Sequence, residues 1–142
     1  MNKKLFKVLV PMFIVLLIIL FYQIQYSRKS FEDFLGTNEA NITKILMRNG
    51  SDGSYVETSD KEHMKILINM LNDRYYKKSL NQEDRNGYSY YYDFYLQDKR
   101  IIRITGDGDN VNINNTYYNV SKQISLDSLT NWYNSLSVND YQ

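Results

Sequence analysis

The chain has 142 residues and no cysteine, which predicts one modest domain with a short appendage and excludes disulfides, thiolate metal sites, cysteine nucleophiles and a lipoprotein-type lipid anchor. Its charge is +1 overall, but residues 1–29 hold five basic and no acidic side chains, which leaves 12 basic and 16 acidic residues in 30–142. Such a mildly acidic domain gains no attraction to phosphate backbones from its net charge, so nucleic acid is not expected as a partner.

An apolar stretch near the N-terminus predicts one transmembrane helix. Residues 8–22 contain no charged or strongly polar side chain. Extension to residues 5–24 gives a helix of about 30 Å, which matches the thickness of the hydrocarbon core. Lys7 would then reach back to the headgroups, and Tyr22 and Tyr26 would lie at the opposite interface, where aromatic residues are frequent.

The basic residues on either side of this helix predict its orientation. The amino terminus and three lysines precede the helix and two basic residues follow it: Lys3, Lys4 and Lys7, then Arg28 and Lys29. This excess favours a cytoplasmic N-terminus and an extracytoplasmic domain in a single-pass membrane protein. A cleaved signal peptide is the alternative, but residues 23–29 lack the small side chains of a cleavage site, which favours a retained anchor.

The chain is predicted to divide into three parts. Residues 1–29 form the cytoplasmic tip and the anchor, residues 30–41 form a linker or helical turn, and residues 42–142 form the extracytoplasmic domain. Three apolar residues of the linker are expected to pack back on that domain: Phe31, Phe34 and Leu35.

The first half of the domain predicts two strands and a helix. Residues 42–48 and 54–58 have strand character, and an Asn- and Gly-rich turn lies between them. Ser59 and Glu62 have the spacing of a capping box, and the helix is predicted to end near residues 76–79. Its apolar stripe consists of Ile66, Leu67, Met70, Leu71 and Tyr75.

The second half predicts further strands and a last helix. The strand segments are residues 88–96, 100–105, 111–113 and 116–120, and Ser125 is expected to cap the helix. That helix carries Leu126, Leu129, Trp132, Tyr133 and Leu136. The order, taken as ββαβββα, predicts the α+β class: an antiparallel sheet of about five strands with two helices on one face, preceded by one transmembrane helix.

No catalytic or metal-binding constellation is recognised. His63, the single histidine, has no triad partner and is interpreted as a surface or boundary residue. Residues 107–112 alternate oxygen-bearing side chains as calcium loops do, but Asn112 and Tyr118 stand where an EF-hand needs Gly and Glu. A hairpin turn is therefore favoured. We predict no catalytic residues, no cofactor and no metal, and hence no enzyme.

Tyrosines supply the candidate site. In the segment 88–96, Tyr91 and Tyr95 alternate with the core-facing residues, and Tyr117 alternates with Tyr118 in a later strand. Because only one face of the sheet is covered by helices, an aromatic row on the other face can bind a protein partner or stack on sugar rings. Tyrosine is also a favoured strand residue, so a purely structural role is the alternative. Tyr91, Tyr95 and Tyr117 are our predicted partner-binding residues.

In the order of these elements, the chain resembles small membrane-anchored or secreted ββαβββα domains of low-GC Gram-positive bacteria. The resemblance covers residues 42–136, and residues 59–76 and 101–105 carry it best. Many such proteins carry a lipobox cysteine, which this chain lacks. The resemblance implies an anchored or secreted location and no particular activity.

These features predict a membrane-anchored extracytoplasmic interaction module with a regulatory or protective role. Its partner would be another envelope protein or an exported protein. Two alternatives stay open: a cell-wall glycan-binding domain that uses the same tyrosines, and a hydrolase with an unrecognised carboxylate pair.

Overall fold

A computed structural model describes residues 3–83, 87–106 and 108–136. Residues 84–86, Asp107 of the segment 107–112 and residues 137–142 of the predicted domain lie outside the described residues. The elements in chain order are α1 (Lys3–Gln25), β1 (Arg28–Lys29), α2 (Glu32–Leu35), a 3-10 turn (Glu39–Asn41), β2 (Lys44–Asn49), β3 (Tyr55–Thr58), α3 (Lys61–Asn72), β4 (Tyr76–Lys78), β5 (Tyr90–Leu96), β6 (Lys99–Thr105), β7 (Asn110–Ile113), β8 (Thr116–Val120) and α4 (Leu126–Asn134).

The strands form one antiparallel sheet in the order β1-β4-β8-β7-β6-β5-β2-β3. The predicted α+β class and antiparallel pairing are confirmed, but the predicted count of about five strands is wrong, because the described sheet has eight. β1 and β4 have two and three residues, too few for an alternating pattern to be visible in the sequence. Residues 111–113 and 116–120, taken as one strand in the ββαβββα order, are the separate strands β7 and β8, because Asn114 and Asn115, with φ of 47° and 67°, form a tight hairpin turn between them.

Helix α3 differs from its prediction at both ends. Asp60, not Ser59, is the N-cap, and its side chain accepts a hydrogen bond from the main-chain N–H of His63. The helix ends at Asn72, because the chain turns to pair β4 with β8 and buries Tyr76 completely. Of the predicted apolar stripe, Leu67 and Leu71 are buried and Met70 packs against the core, whereas the prediction is wrong for Ile66 and Tyr75, which are exposed. The buried residues of α3 are Met64, Leu67, Ile68 and Leu71, which follow helical spacing.

The cap of α3 can be tested with two adjacent substitutions. We expect Asp60→Ala to lower the melting temperature and Ser59→Ala to leave it nearly unchanged, because only the Asp60 side chain caps the helix. The hydrogen bond from the main-chain N–H of His63 lowers the pKa of Asp60. The capping contribution is therefore present above the ordinary aspartate pKa and is lost as pH falls through the lowered value. Thermal unfolding of both variants at neutral and acid pH measures this, and an equal loss in Ser59→Ala would contradict it.

The segment predicted as a linker packs on the domain through all three expected residues. Phe31 and Leu35 are buried, and the ring of Phe31 lies 5.1 Å from that of Phe94. Phe34 is half-buried, and its ring makes edge contacts with Tyr76 and Tyr118. The segment thus adds α2 to the helices on the covered side, and the prediction of only two helices there is corrected.

Helix α4 completes the covering layer. Leu129, Trp132 and Tyr133 are buried as predicted, whereas Leu126 is exposed. The indole N–H of Trp132 donates to the carbonyl of His63 at 2.8 Å, which joins α4 to α3. Ser125 occupies the N-cap position, but its side chain makes no capping hydrogen bond. The expected side-chain cap is therefore wrong.

The N-terminal helix is apolar, as predicted. Over Lys7–Gln25 its mean hydropathy is 2.4, and none of this segment is buried against the rest of the chain. Its length and composition suffice to cross a membrane. A signal sequence near an N-terminus or a core helix of a soluble protein meets the same criteria of length and composition.

Candidate functional site

The side of the sheet opposite α2, α3 and α4, here called the open face, carries the three predicted site residues. In β5 the side chains of Tyr90, Tyr92 and Phe94 are buried beneath the helices, whereas Tyr91 and Tyr95 point the other way and are half-buried. Tyr118 is likewise buried, and its neighbour Tyr117 lies on the open face. The predicted alternation is therefore confirmed in both strands.

Strand register places two of the three tyrosines on one line across the sheet. Directly opposed residues of antiparallel strands share a face, and the pairings join six of them in succession. This tyrosine row runs Tyr55, Arg48, Tyr91, Thr105, Asn112 and Tyr117 across β3, β2, β5, β6, β7 and β8. At about 4.8 Å per strand, Tyr91 and Tyr117 are about 14 Å apart and the row is about 24 Å long.

Tyr91 stands at the centre of the row between two arginines. The guanidinium carbon of Arg103 lies 4.6 Å from the centre of the Tyr91 ring, and that of Arg48 lies 5.6 Å away. These arginines come from β6 and β2, the two strands that flank β5, so the ring is approached from both sides. Burial raises the pKa of Tyr91, and the two positive charges act in the opposite direction. Tyr91 is therefore a neutral ring held by two cations at neutral pH.

Asp93 fixes one of those arginines. Its side chain is only 3% exposed, and it accepts hydrogen bonds from Nε and Nη2 of Arg103 at 2.7 and 2.5 Å. The Nη1 atom of Arg100 lies 3.8 Å from the same carboxylate. The hydrogen bond to Asp93 raises the pKa of Arg103. A two-point, charge-assisted contact of this kind orients the guanidinium before any partner arrives.

Tyr95 belongs to the same face but not to the row. It lies four positions beyond Tyr91, about 13 Å along β5, and its ring is 4.7 Å from the Lys44 ammonium group. Lys44 also lies 3.6 Å from Glu57. The structure therefore brings Tyr91 and Tyr117 onto one row and places Tyr95 beside it in a second cation–aromatic pair.

A pocket lies at the Tyr117 end of the row. Its volume is about 320 Å³, and Tyr88 and Tyr117 line it together with the polar side chains of Thr105 and Asn112. Tyr88 also contacts Tyr91, at 5.6 Å between ring centres. The main chain of Tyr88 lies close against that of Gly50, which glycine permits because a Cβ at position 50 would lie 2.2 Å from the Tyr88 carbonyl oxygen.

The charges of the domain are segregated. Six basic side chains and two acidic ones belong to the described strands on the open face: Arg28, Lys44, Arg48, Lys77, Arg100 and Arg103, against Glu57 and Asp93. The open face is thus positive although residues 30–142 carry an acidic excess. Sequence reasoning missed the arginines, because the net charge hides a face that only strand pairing assembles. The alternation of Arg103 with Ile102 and Ile104 is the signal that could have found Arg103. Arg100 has the same parity as the two isoleucines and is paired with Tyr95 only because the register shifts between Phe94 and Tyr95.

The described residues offer little to hold a metal. Within 3–83, 87–106 and 108–136, no group of three His, Cys, Asp or Glu side chains is placed to bind an ion. His63 is half-exposed, and its Nδ1 atom lies 3.0 Å from Asp60, the residue that caps α3. This placement agrees with the interpretation of His63 as a boundary residue.

Comparison of the chain with protein-family models, with curated proteins and with solved structures finds no match. The resemblance to ββαβββα domains of Gram-positive bacteria stays a prediction.

Proposed function

We propose that this protein is a membrane-anchored binding module that holds another envelope protein or an exported protein on its open face. The observation that carries the proposal is Tyr91, placed between Arg48 and Arg103 at the centre of a positively charged sheet face that none of the described helices covers. The partner would present acidic side chains to the arginines and apolar side chains to the rings.

The composition of the open face supports a protein partner. Tyrosine and arginine are the residue types that contribute most to protein–protein affinity when they lie together near the centre of an interface. The tyrosine row is about 24 Å long, with Tyr55 and Tyr117 at its ends and Tyr91 between them. This length suits a protein surface or an extended peptide better than a small ligand. Asp93 holds Arg103 in place beforehand, which reduces the entropy lost on binding.

A cell-wall glycan is the second candidate ligand. Sugar rings stack on open aromatic faces, but Arg48 and Arg103 flank the ring of Tyr91. The pocket between Tyr88 and Tyr117 is the better place for a sugar, since Thr105 and Asn112 add polar groups beside the two rings. A glycan is therefore expected to depend on Tyr117 and not on Tyr91.

For location, we propose that α1 is retained as the anchor, with its N-terminus in the cytoplasm and the domain outside. The excess of basic residues before the helix and the lack of a cleavage site after it support this orientation. A domain held in this way samples a thin layer next to the membrane. Its effective concentration toward other envelope proteins is high, so modest affinity suffices.

In living cells, a photoreactive residue in place of Tyr95 is expected to trap one dominant protein. A second substitution, Tyr91→Ser, is expected to reduce that product at least tenfold, because Tyr91 lies at the centre of the contact. Ile66→Ser serves as the matched control, since Ile66 is exposed on α3, on the opposite side of the sheet. Circular dichroism should be unchanged in both variants, because neither side chain belongs to the core.

Three results would contradict the protein-binding proposal. One is a crosslink pattern at Tyr95 that is identical to that of a photoreactive residue at Ile66. Another is recovery of wall glycan alone, in which case binding to purified peptidoglycan should fall with Tyr117→Ser and persist with Tyr91→Ser. The third is unfolding of Tyr91→Ser, which would show that Tyr91 serves the fold.

A further inference from the structure

A second pocket lies on the helix-bearing side of the domain, where α3 ends, β4 begins and α4 begins. Its volume is about 230 Å³. The pocket is lined by residues from the end of α3, from the loop that precedes α4 and from the first turn of α4, with Arg74 among them. We refer to it as the Arg74 pocket. It shares no lining residue with the pocket on the open face.

Arg74 is the unusual group in this pocket. Only 2% of the residue is exposed, and neither of its terminal nitrogens, Nη1 and Nη2, has a hydrogen-bond partner among the described residues. Its remaining nitrogen, Nε, donates to the Tyr76 hydroxyl at 2.8 Å, and that hydroxyl donates to the Leu71 carbonyl at 2.9 Å. The guanidinium also lies 5.1 Å from the centre of the Tyr76 ring. Arg74 is thus fixed in position through Nε, while Nη1 and Nη2 donate no hydrogen bond to any described residue.

A buried guanidinium needs an anion. An arginine stays protonated in proteins, and a buried charge without a partner is strongly unfavourable. The adjacent carboxylate does not meet this need, because Asp73 forms its ion pair with Lys122 at the surface, where both side chains are well exposed. The pocket lining contains two basic side chains, Arg74 and Lys122, and one acidic side chain, Asp73. The local charge therefore favours a negative ligand.

The start of α4 adds a second set of donors. Ser125 and Ser128 line the pocket, and the Ser125 side chain leaves the first turn without a side-chain cap. Main-chain N–H groups in the first turn of a helix lack internal partners and lie at the positive end of the helix dipole. Such a helix start binds phosphate and carboxylate groups readily, and here it adjoins the buried guanidinium.

We propose that the Arg74 pocket binds the oxyanion group of a small ligand, a carboxylate or a phosphate. Arg74 supplies paired donors, the first turn of α4 and the Ser128 hydroxyl supply further ones, and Lys122 attracts the anion at the rim. Met70 and Ile124 form an apolar wall that fits the body of a small organic anion. This site is separate from the open face and stands or falls independently of the proposed protein-binding function.

The test is a titration of the full chain in non-ionic detergent, followed by nuclear magnetic resonance. Inorganic phosphate and acetate serve as the two probes, and chloride at equal ionic strength is the reference. We expect at least one probe to shift the Arg74 side-chain signals and the Ser128 amide in a saturable way at millimolar concentration. Phosphate alone would indicate a phosphate ligand, and acetate alone a carboxylate ligand.

Substitutions identify the groups responsible. Lys122→Gln is expected to weaken binding about threefold to tenfold, because it removes a charge at the rim, and it should leave the fold intact because Lys122 is exposed. Lys99→Gln, an exposed lysine in the β5–β6 hairpin, is the matched control and should bind as the parent does. Arg74→Gln should abolish the saturable shifts.

The proposal is overturned if neither probe produces shifts beyond those of chloride. It is also overturned if Lys122→Gln and Lys99→Gln have equal effects on affinity. A water molecule that stays bound to the Arg74 terminal nitrogens at saturating probe, detected by its magnetisation transfer to their protons, would likewise overturn it. If Arg74→Gln fails to fold, the Lys122→Gln comparison alone decides.

Discussion

The Asp93→Asn variant is expected to lose about 2 kcal/mol of unfolding free energy, a large effect for a residue on an uncovered sheet face. The carboxylate is nearly inaccessible and accepts two hydrogen bonds from Arg103. Asparagine keeps the size of the side chain but loses the charge and one acceptor. The loss is smaller than for a fully buried pair, because Arg103 is 39% exposed and water can solvate it after the substitution. Urea unfolding of the full chain in detergent, followed by Trp132 fluorescence, measures the difference.

A matched control for Asp93 exists on the same face. Glu57 also pairs with a cation, Lys44, but both side chains are well exposed, so Glu57→Gln should change stability by about 0.5 kcal/mol or less. The double variant Asp93→Asn/Arg103→Gln should lose less than the sum of the two single variants, because each single variant leaves the other partner unpaired. Strict additivity would show that the carboxylate does not hold Arg103.

Phe31→Ala is expected to destabilise the domain by about 3–4 kcal/mol, although Phe31 lies in the segment predicted as a linker. Its ring is completely buried and packs against Phe94 in the middle of the sheet. Alanine would leave a cavity that the backbone of a four-residue helix, α2, can close only in part. The same urea unfolding experiment measures the loss.

The control for Phe31 uses the same chemical change in the N-terminal helix. Phe13 lies in α1 and its side chain is exposed, so Phe13→Ala should leave the unfolding free energy of the domain unchanged. If Phe31→Ala were as stable as Phe13→Ala, residues 30–41 would be a linker in the energetic sense, and the domain would begin after them. The midpoint of unfolding thus locates the N-terminal boundary of the domain.

Charge segregation changes which partners the domain can attract. The acidic excess of residues 30–142 suggests weak repulsion from anionic surfaces, yet the open face that would meet a partner is positive. Because screening limits electrostatic effects to about 10 Å at ordinary salt concentrations, the nearest face matters more than the sum over the domain. Association through the open face is therefore expected to weaken as salt concentration rises.

The sequence by itself determined the features that depend on local periodicity. An uninterrupted apolar stretch specifies α1, because span length and side-chain polarity are properties of consecutive residues. The alternation in residues 90–95 specifies which side of β5 carries Tyr91, because successive side chains of a strand point to opposite faces. Leu129, Trp132 and Tyr133 of α4 were likewise found from helical spacing.

Only the tertiary structure decided which residues meet. The local pattern predicts that α3 ends near residues 76–79, but pairing of β4 with β8 takes Tyr76 into a strand and buries Arg74 beside it. The neighbours of Tyr91 in the tyrosine row, Arg48 and Thr105, depend on the order of strands far apart in the chain. Local propensity is a sum over neighbouring residues, whereas strand order, register and the burial of a lone charge are set by contacts between distant ones. Periodicity therefore predicts faces, and packing of the whole chain decides the sites that form on them.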